Sequence, residues 1–225
     1  MGNKTLSIHI LALFPQSLES YLESSILKKA QTSGLFEYHL HNLAHWSVKN
    51  TRRVDDRPYG GGSGTIIGVE PLYNAIISLE QKYGDFDEII YMSPTGKTIN
   101  QEILEEEISK LPQKILIICG HYEGIDARIF ELFTITELSI GDYILSSGEL
   151  ASLVLIDGLV RLIPGVLSQE SLEEETFSQD IHRQGEYPQY TRPEVFHDIS
   201  VPEVLVSGNH KKIKKWRQDN IRSLQ

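Results

Sequence analysis

Residues 114–119, KILIIC, constrain the fold most: five apolar residues run unbroken to Gly120. A strand with one wet face alternates apolar and polar positions, whereas a strand that is apolar throughout has both faces covered. Sheets covered on both faces are typically parallel, with helices packed on each side. The rest of the chain to about residue 166 repeats this theme. SIHILALF (7–14), ended by Pro15, and EIIYMS (88–93) read as buried strands, FEYHLHNL (36–43) as an alternating strand and ITELSI (135–140) as a short one. Between them lie helical patterns. Leu18, Tyr21, Leu22, Ile26 and Leu27 mark one over 16–31, and Leu72, Ala75, Ile76 and Leu79 mark another from Pro71 to Lys82. An acidic helix follows over 99–111, a shorter one over 126–133, and a long apolar helix from Glu149 to Leu162, closed by Pro164-Gly165. The expected class is α/β with a parallel sheet.

Composition shifts after this block. Glu170, Glu173, Glu174 and Glu175 open a polar stretch that reads as a linker over 167–192. Residues 193–225 then read as a small helical unit ending in Lys211, Lys212, Lys214, Lys215 and Arg217. Three segments are expected: 1–166, 167–192 and 193–225. The net charge of -10 argues against a protein that coats nucleic acid indiscriminately. It leaves room for local basic surfaces, here the C-terminal cluster and Lys49, Arg52, Arg53 and Arg57. The first apolar run is too short to span a membrane, and the single cysteine, Cys119, forms no intramolecular disulfide. A cytoplasmic protein is the default expectation.

In an open parallel sheet, ligands bind beyond the carboxyl ends of the strands. Three segments fall there: YMSPTG (91–96), CGHYEGID (119–126) and SIGDYILSSGEL (139–150). All are rich in Gly, Ser or Pro, so main chain can approach a ligand closely. Singly, each reads as a tight turn; together, at successive strand ends, they read as a pocket of main-chain donors and acceptors suited to a nucleoside-like ligand. No G-x-x-x-x-G-K-[ST] loop and no G-x-G-x-x-G turn after the first strand are present, which counts against an ordinary NTPase or dinucleotide dehydrogenase. The glycine-rich DDRPYGGGSG (55–64) follows a polar loop rather than a strand, and leaves open a phosphate cradle, a base cradle or a plain flexible loop. The histidines are scattered and the cysteine lacks a CxxC partner, so no metal site is expected. No G-x-S-x-G elbow marks a nucleophilic serine, although counting alone leaves a Ser-His-Asp triad open.

These segments, with LIDGLVRLIPGVL (155–167), YPQYTRPEV (187–195) and VPEVLVSGNHKKIKKWR (201–217), closely resemble the bacterial tRNA (guanine-N1)-methyltransferase family over nearly the whole chain. The resemblance implies a SPOUT fold: a parallel sheet, a deep C-terminal trefoil knot and a small helical C-terminal domain. Knots are rare, and periodicity alone reveals none. It also implies S-adenosylmethionine (SAM) as cofactor, with S-adenosylhomocysteine (SAH) as product, magnesium as an aid without a visible ligand set, and a homodimer with shared active sites. The implied substrate is tRNA, methylated on the guanosine just 3′ of the anticodon.

Carried onto this sequence, the cofactor residues are Tyr91, Met92, Ser93, Pro94, Gly96, Gly120, Glu123, Ile140, Gly141, Asp142, Tyr143, Ile144, Leu145, Ser147 and Gly148. Asp55 or Asp56, with Gly60, Gly61 and Gly62, would recognise guanine, and Arg161 matches the family's essential arginine. Guanine N1 carries a proton at neutral pH, so a base must remove it during transfer. The resemblance aligns Glu175 with the family's catalytic aspartate, one methylene longer, with Asp180 as the fallback. Two further departures are Ser147 for a usual glycine and Thr65 for a usual methionine.

Overall fold

The computed structural model describes residues 5–110, 112–173, 175–179 and 183–221. The chain divides into two units, Met1–Val166 and Leu167–Gln225. In the first, β1 (Leu6–Ala12) leads through α1 (Gln16–Leu22) and α2 (Ser25–Thr32) to β2 (Phe36–Asn42). The single helix expected over 16–31 is broken at Ser24, which is extended at φ -116° and ψ 159°. A 3-10 turn (Leu43–Trp46) then precedes a short antiparallel ribbon of β3 (Asp55–Asp56) and β4 (Ile66–Ile67). Next come α3 (Val69–Tyr83), β5 (Glu88–Thr98), α4 (Gln101–Ser109), β6 (Lys114–Cys119), the one-turn α5 (Ile129–Leu132), β7 (Thr136–Ser139) and α6 (Gly148–Val160).

Five strands form one sheet in the order β2-β1-β6-β5-β7, and every neighbouring pair is parallel. Side chains alternate across a strand, so the three central strands each supply two cores. Ile8, Ile10, Ile90, Ile115 and Ile117 pack with Leu18, Leu22, Leu27, Ile156 and Leu159 of α1, α2 and α6. Leu11, Ile89, Leu116 and Ile118 pack on the other face with Leu72, Ala75, Ile76 and Leu79 of α3. The unbroken apolar character of β6 is thus the mark of a strand covered twice.

β5 runs further than its apolar core. The expected strand ends at Ser93, but Lys97 and Thr98 rejoin β7 after a register shift that begins at Met92. The SPTG segment (93–96) is therefore an excursion within a strand. Gly96 makes that return possible: a Cβ there would lie 2.6 Å from Glu137 C and from Leu138 N.

The second unit carries α7 (Gln169–Glu173), a ribbon of β8 (Val195–Phe196) with β9 (Ile199–Ser200), α8 (Glu203–Val206) and α9 (His210–Asp219). Its C-terminal part is thus helical with an added hairpin, turned by His197 and Asp198 at φ 47° and 62°. Asn209 caps α9 by accepting the Lys212 N–H at 3.1 Å. Tyr190 meets Trp216 edge-on, and the Arg217 guanidinium lies 4.8 Å from the centre of the Tyr187 ring. In the segment read as a linker, the Thr176 N–H donates to Glu186 and the Phe177 N–H to the Gln184 carbonyl.

Candidate functional site

The loops after β6 and β7, together with the SPTG excursion of β5, meet around one cleft of about 390 Å³ at the carboxyl edge of the sheet. Two backbone contacts join the β6 loop to the end of the β7 loop. The Gly148 N–H donates to the Gly120 carbonyl at 2.7 Å, and His121 pairs with Ser147 as an isolated antiparallel bridge. A Cβ on Gly148 would lie 2.6 Å from Gly120 N and 2.9 Å from Cys119 Cα, so only glycine permits this approach. Ser147, by contrast, is extended at φ -165°, a conformation open to any residue. The serine there needs no compensation.

Among the expected cofactor residues, Tyr91, Met92, Ser93, Pro94, Gly120, Glu123, Ile140, Gly141, Tyr143, Ile144, Leu145, Ser147 and Gly148 line this cleft. Gly96 and Asp142 do not; Gly96 backs onto the Glu137–Leu138 main chain behind it. The structure adds Thr95, His121, Tyr122, Ile125, Phe130, Glu137 and Leu138 to the lining. His121, Tyr122 and Ile125 lay within a motif already singled out, whereas Phe130 and Glu137 come from elements that carried no such signal. Burial, followed by the Glu137 carboxylate, pushes the Tyr91 phenol up to about 12, so it stays a neutral hydrogen-bonding group. Cys119 sits beneath the cleft with its Sγ 3.0 Å from Ser152 Oγ. Burial raises its thiol far above the ordinary value, which makes it a core residue rather than a nucleophile.

The glycine-rich loop docks beside this cleft. The Glu123 N–H donates to the Thr65 carbonyl at 3.0 Å, and the Ile67 N–H to the Gly124 carbonyl at 2.9 Å. Gly64 makes room for Glu123, whose Cγ would lie 2.6 Å from an added Cβ. Within the loop, buried Asp55 takes a two-pronged ion pair from Arg53, Nε to Oδ1 at 3.2 Å and Nη2 to Oδ2 at 2.9 Å. That pair, opposed by burial and aided by the Thr65 hydroxyl, holds the Asp55 carboxyl down at about 2. The threonine at position 65 therefore supports the aspartate. Exposed Asp56 pairs with Lys49 Nζ at 2.8 Å. Gly60, Gly61 and Gly62 take φ of 87°, 82° and 128° with open space around each Cα, beside fully exposed Tyr59.

Arg161 caps the C-terminus of α6 in the first unit, whereas Glu175 lies in the second unit just after α7. Asp180 lies outside the described residues. Among the described residues, no group of three or more His, Cys, Asp or Glu side chains is placed to hold a metal ion, and no helix is long and apolar enough to cross a membrane.

A parallel sheet with clamped glycine-rich loops at its carboxyl edge, lacking both common phosphate-binding signatures, defines an α/β protein with a cleft at the edge where such sheets bind ligands. Comparison with known proteins narrows the class. The family model described as tRNA (Guanine-1)-methyltransferase TrmD matches residues 6–224. A tRNA (guanine-N(1)-)-methyltransferase of Clostridioides difficile is 44% identical over 216 residues, covering 95% of this chain and 91% of the relative. The protein of the same name from Flavobacterium johnsoniae is 44% identical over 95% of this chain and 92% of its own. The crystal structure of tRNA (m1G37) methyltransferase from Aquifex aeolicus superimposes with a TM-score of 0.78 at 36% identity, covering 95% of this chain and 88% of that one. The chain belongs to the tRNA (guanine-1)-methyltransferase family.

Proposed function

We propose that the chain transfers a methyl group from SAM to N1 of the guanosine at position 37 of tRNA, leaving SAH. The observation that carries this reading is the convergence of three glycine-rich loops on one cleft, in a chain of this family. The cleft suits the cofactor chemically. Leu138, Ile140 and Leu145 offer an apolar wall for a purine ring, and the loop main chain offers partners for its edge. Glu123 and Glu137 bring two carboxylates to a ligand that carries a sulfonium and an ammonium group. Gly96 and Asp142 support the binding loops from outside the lining.

When bound, SAM supplies an electrophilic methyl on sulfur. The protein must place guanine N1 in line with it and take away the N1 proton. We assign proton removal to Glu175 and the stabilisation of negative charge growing on O6 to Arg161. Asp55 or Asp56, with Gly60, Gly61 and Gly62, receives the guanine, the carboxylate accepting from its N–H groups. Magnesium is assigned no protein ligand set.

The same reading extends to architecture. A SPOUT trefoil knot fits the main-chain contacts at Gly96 and Gly148, where the SPTG excursion lies on the β7 backbone and the start of α6 lies on the end of β6. A homodimer with shared active sites fits the apolar stripe of Leu150 and Val154 on α6, flanked by Tyr21 and Phe14, all exposed in one chain. The basic α9 and the Lys49–Arg57 loop face tRNA phosphates, and 167–192 joins the cofactor domain (1–166) to the tRNA-binding domain (193–225). A cytoplasmic enzyme follows from that substrate.

The test is methyl transfer from labelled SAM to tRNA transcripts that differ only at position 37, with the product located by mass spectrometry. Label on guanosine N1 in the wild-type transcript and none in the substituted one is the expected result. Label at another base or on a ribose overturns the target. ATP binding without SAM binding by calorimetry overturns the cofactor.

A further inference from the structure

Two buried polar atoms beside the cofactor cleft lack partners. Glu149, in the first turn of α6, is only 5% exposed. Its Oε1 accepts the Phe14 N–H, just past β1, at 3.2 Å, but its Oε2 is buried with no hydrogen bond. His121, the second residue after β6, likewise buries an Nδ1 with no hydrogen bond. The two side chains flank the same residue. The Phe14 backbone binds Glu149, and the Phe14 ring lies against the His121 ring at 5.7 Å. Their backbones are clamped by the Gly148–Gly120 hydrogen bond and the Ser147–His121 bridge.

An unpaired buried carboxylate oxygen and an unpaired buried ring nitrogen are each unfavourable, and a native fold rarely keeps both. Here one is an acceptor and the other a nitrogen that becomes a donor in one imidazole tautomer. His121 also belongs to the loop that carries Tyr122 and Glu123 into the cleft. We propose that Glu149 is a positioning residue: when the cofactor cleft fills, His121 turns on Phe14 and donates its Nδ1–H to Glu149 Oε2. This locks the loop holding Tyr122 and Glu123 in its ligand-bound form. The proposal rests on the cofactor reading of the cleft and adds to it a coupling between the α6 N-terminus and the β6 loop. Glu149 itself does not line the cleft.

Nitrogen-15 NMR of histidine-labelled protein reads the tautomer directly. His121 is assigned by the signal lost in His121→Phe, and SAH is the probe. SAH is expected to shift His121 toward the Nδ1–H tautomer. In Glu149→Gln the amide N–H instead donates to Nδ1, which forces the proton onto Nε2. A residue that merely fills space produces neither change. In kinetics, His121→Phe is expected to raise KM for SAM about tenfold, the effect of losing one charge-assisted hydrogen bond, with kcat changed less than about threefold. His121→Asn places an amide N–H near the lost Nδ1 and is expected to restore KM. Wild-type protein that binds SAH with no tautomer change overturns the pairing alone. Wild-type protein that binds no SAH overturns the cofactor reading and the pairing together. Equal KM for the Phe and Asn variants overturns the positioning role.

Discussion

Gly148→Ala sets two effects against each other, and the structure decides between them. Gly148 opens α6, where alanine gains up to about 1 kcal/mol over glycine from helix propensity and the unfolded chain. The added methyl, however, lies 2.6 Å from Gly120 N, 2.9 Å from Cys119 Cα and 3.1 Å from Cys119 C. All three are backbone atoms of a central strand and its exit loop. Carbon contacts are comfortable at roughly 3.5–4.0 Å, so the helix start must retreat by about 1 Å. That strains the core by about 1–3 kcal/mol and weakens the 2.7 Å bond from Gly148 N–H to Gly120, worth about 1 kcal/mol more. The clash wins, and the variant is expected to be less stable by about 1–3 kcal/mol net. The same retreat separates two walls of the cleft, and a misplacement of about 1 Å can cost around a hundredfold in a positioned site. Urea unfolding should show a lower midpoint with an unchanged slope, and calorimetry should show at least a tenfold weaker affinity for SAH. A variant as stable as wild type, binding SAH equally well, refutes the claim that main chain meets main chain here.

Three further outcomes are expected. Burial, and then neighbouring His39, lower His9 to about 3 and His41 to about 4 from the ordinary 6.5. The unfolded chain therefore takes up protons that the fold refuses, and stability falls as pH drops below 6.5 by on the order of 1 kcal/mol per pH unit and histidine; His41→Phe should flatten this acid limb in urea midpoints. Glu88 behaves oppositely: burial, and then Glu107, raise it from 4.5 to about 7, so its contribution is whole below 4.5 and lost as pH rises through about 7. Glu88→Gln should remove that loss, and a midpoint difference from wild type that stays constant across this range counts against it. Under the proposed mechanism, Glu175→Ala should lower kcat by about a hundredfold or more with SAH affinity unchanged, whereas Glu175→Asp should retain most activity; full activity in the alanine variant removes Glu175 as the base.

β6 was legible because burial on two faces leaves no polar positions: Ile115 and Ile117 serve one core, Leu116 and Ile118 the other. The strand order was not, since nothing local tells β6 to lie between β1 and β5. The two-residue ribbons escaped notice because a pair of residues has no period. In the β8–β9 hairpin, moreover, Val195, Phe196 and Ile199 are exposed, so no buried face marks the alternation. The cleft loops were legible through glycine, which is demanded wherever backbones touch. Phe130 and Glu137 reach the same cleft from a one-turn helix and an edge strand, and only the assembled topology brings them there. His121 and Glu149 were spelled out in the motifs, but their missing partners are a property of three dimensions.

The close seating of Gly148 on Gly120, and of Gly96 on the β7 backbone, bears on how this cleft changes over generations. A wall made of peptide groups is blind to the identity of most side chains that line it. Exchanges at Tyr143 or Ser146 alter the rim and leave the outline intact. The outline changes only if a Cβ is forced into those contacts, and such a change undoes the sheet edge before it reshapes the cavity. A competitor that matches the outline therefore loses affinity through exchanges of contacting side chains such as Leu138, Ile140 or Glu137, while the outline set by the glycine contacts stays.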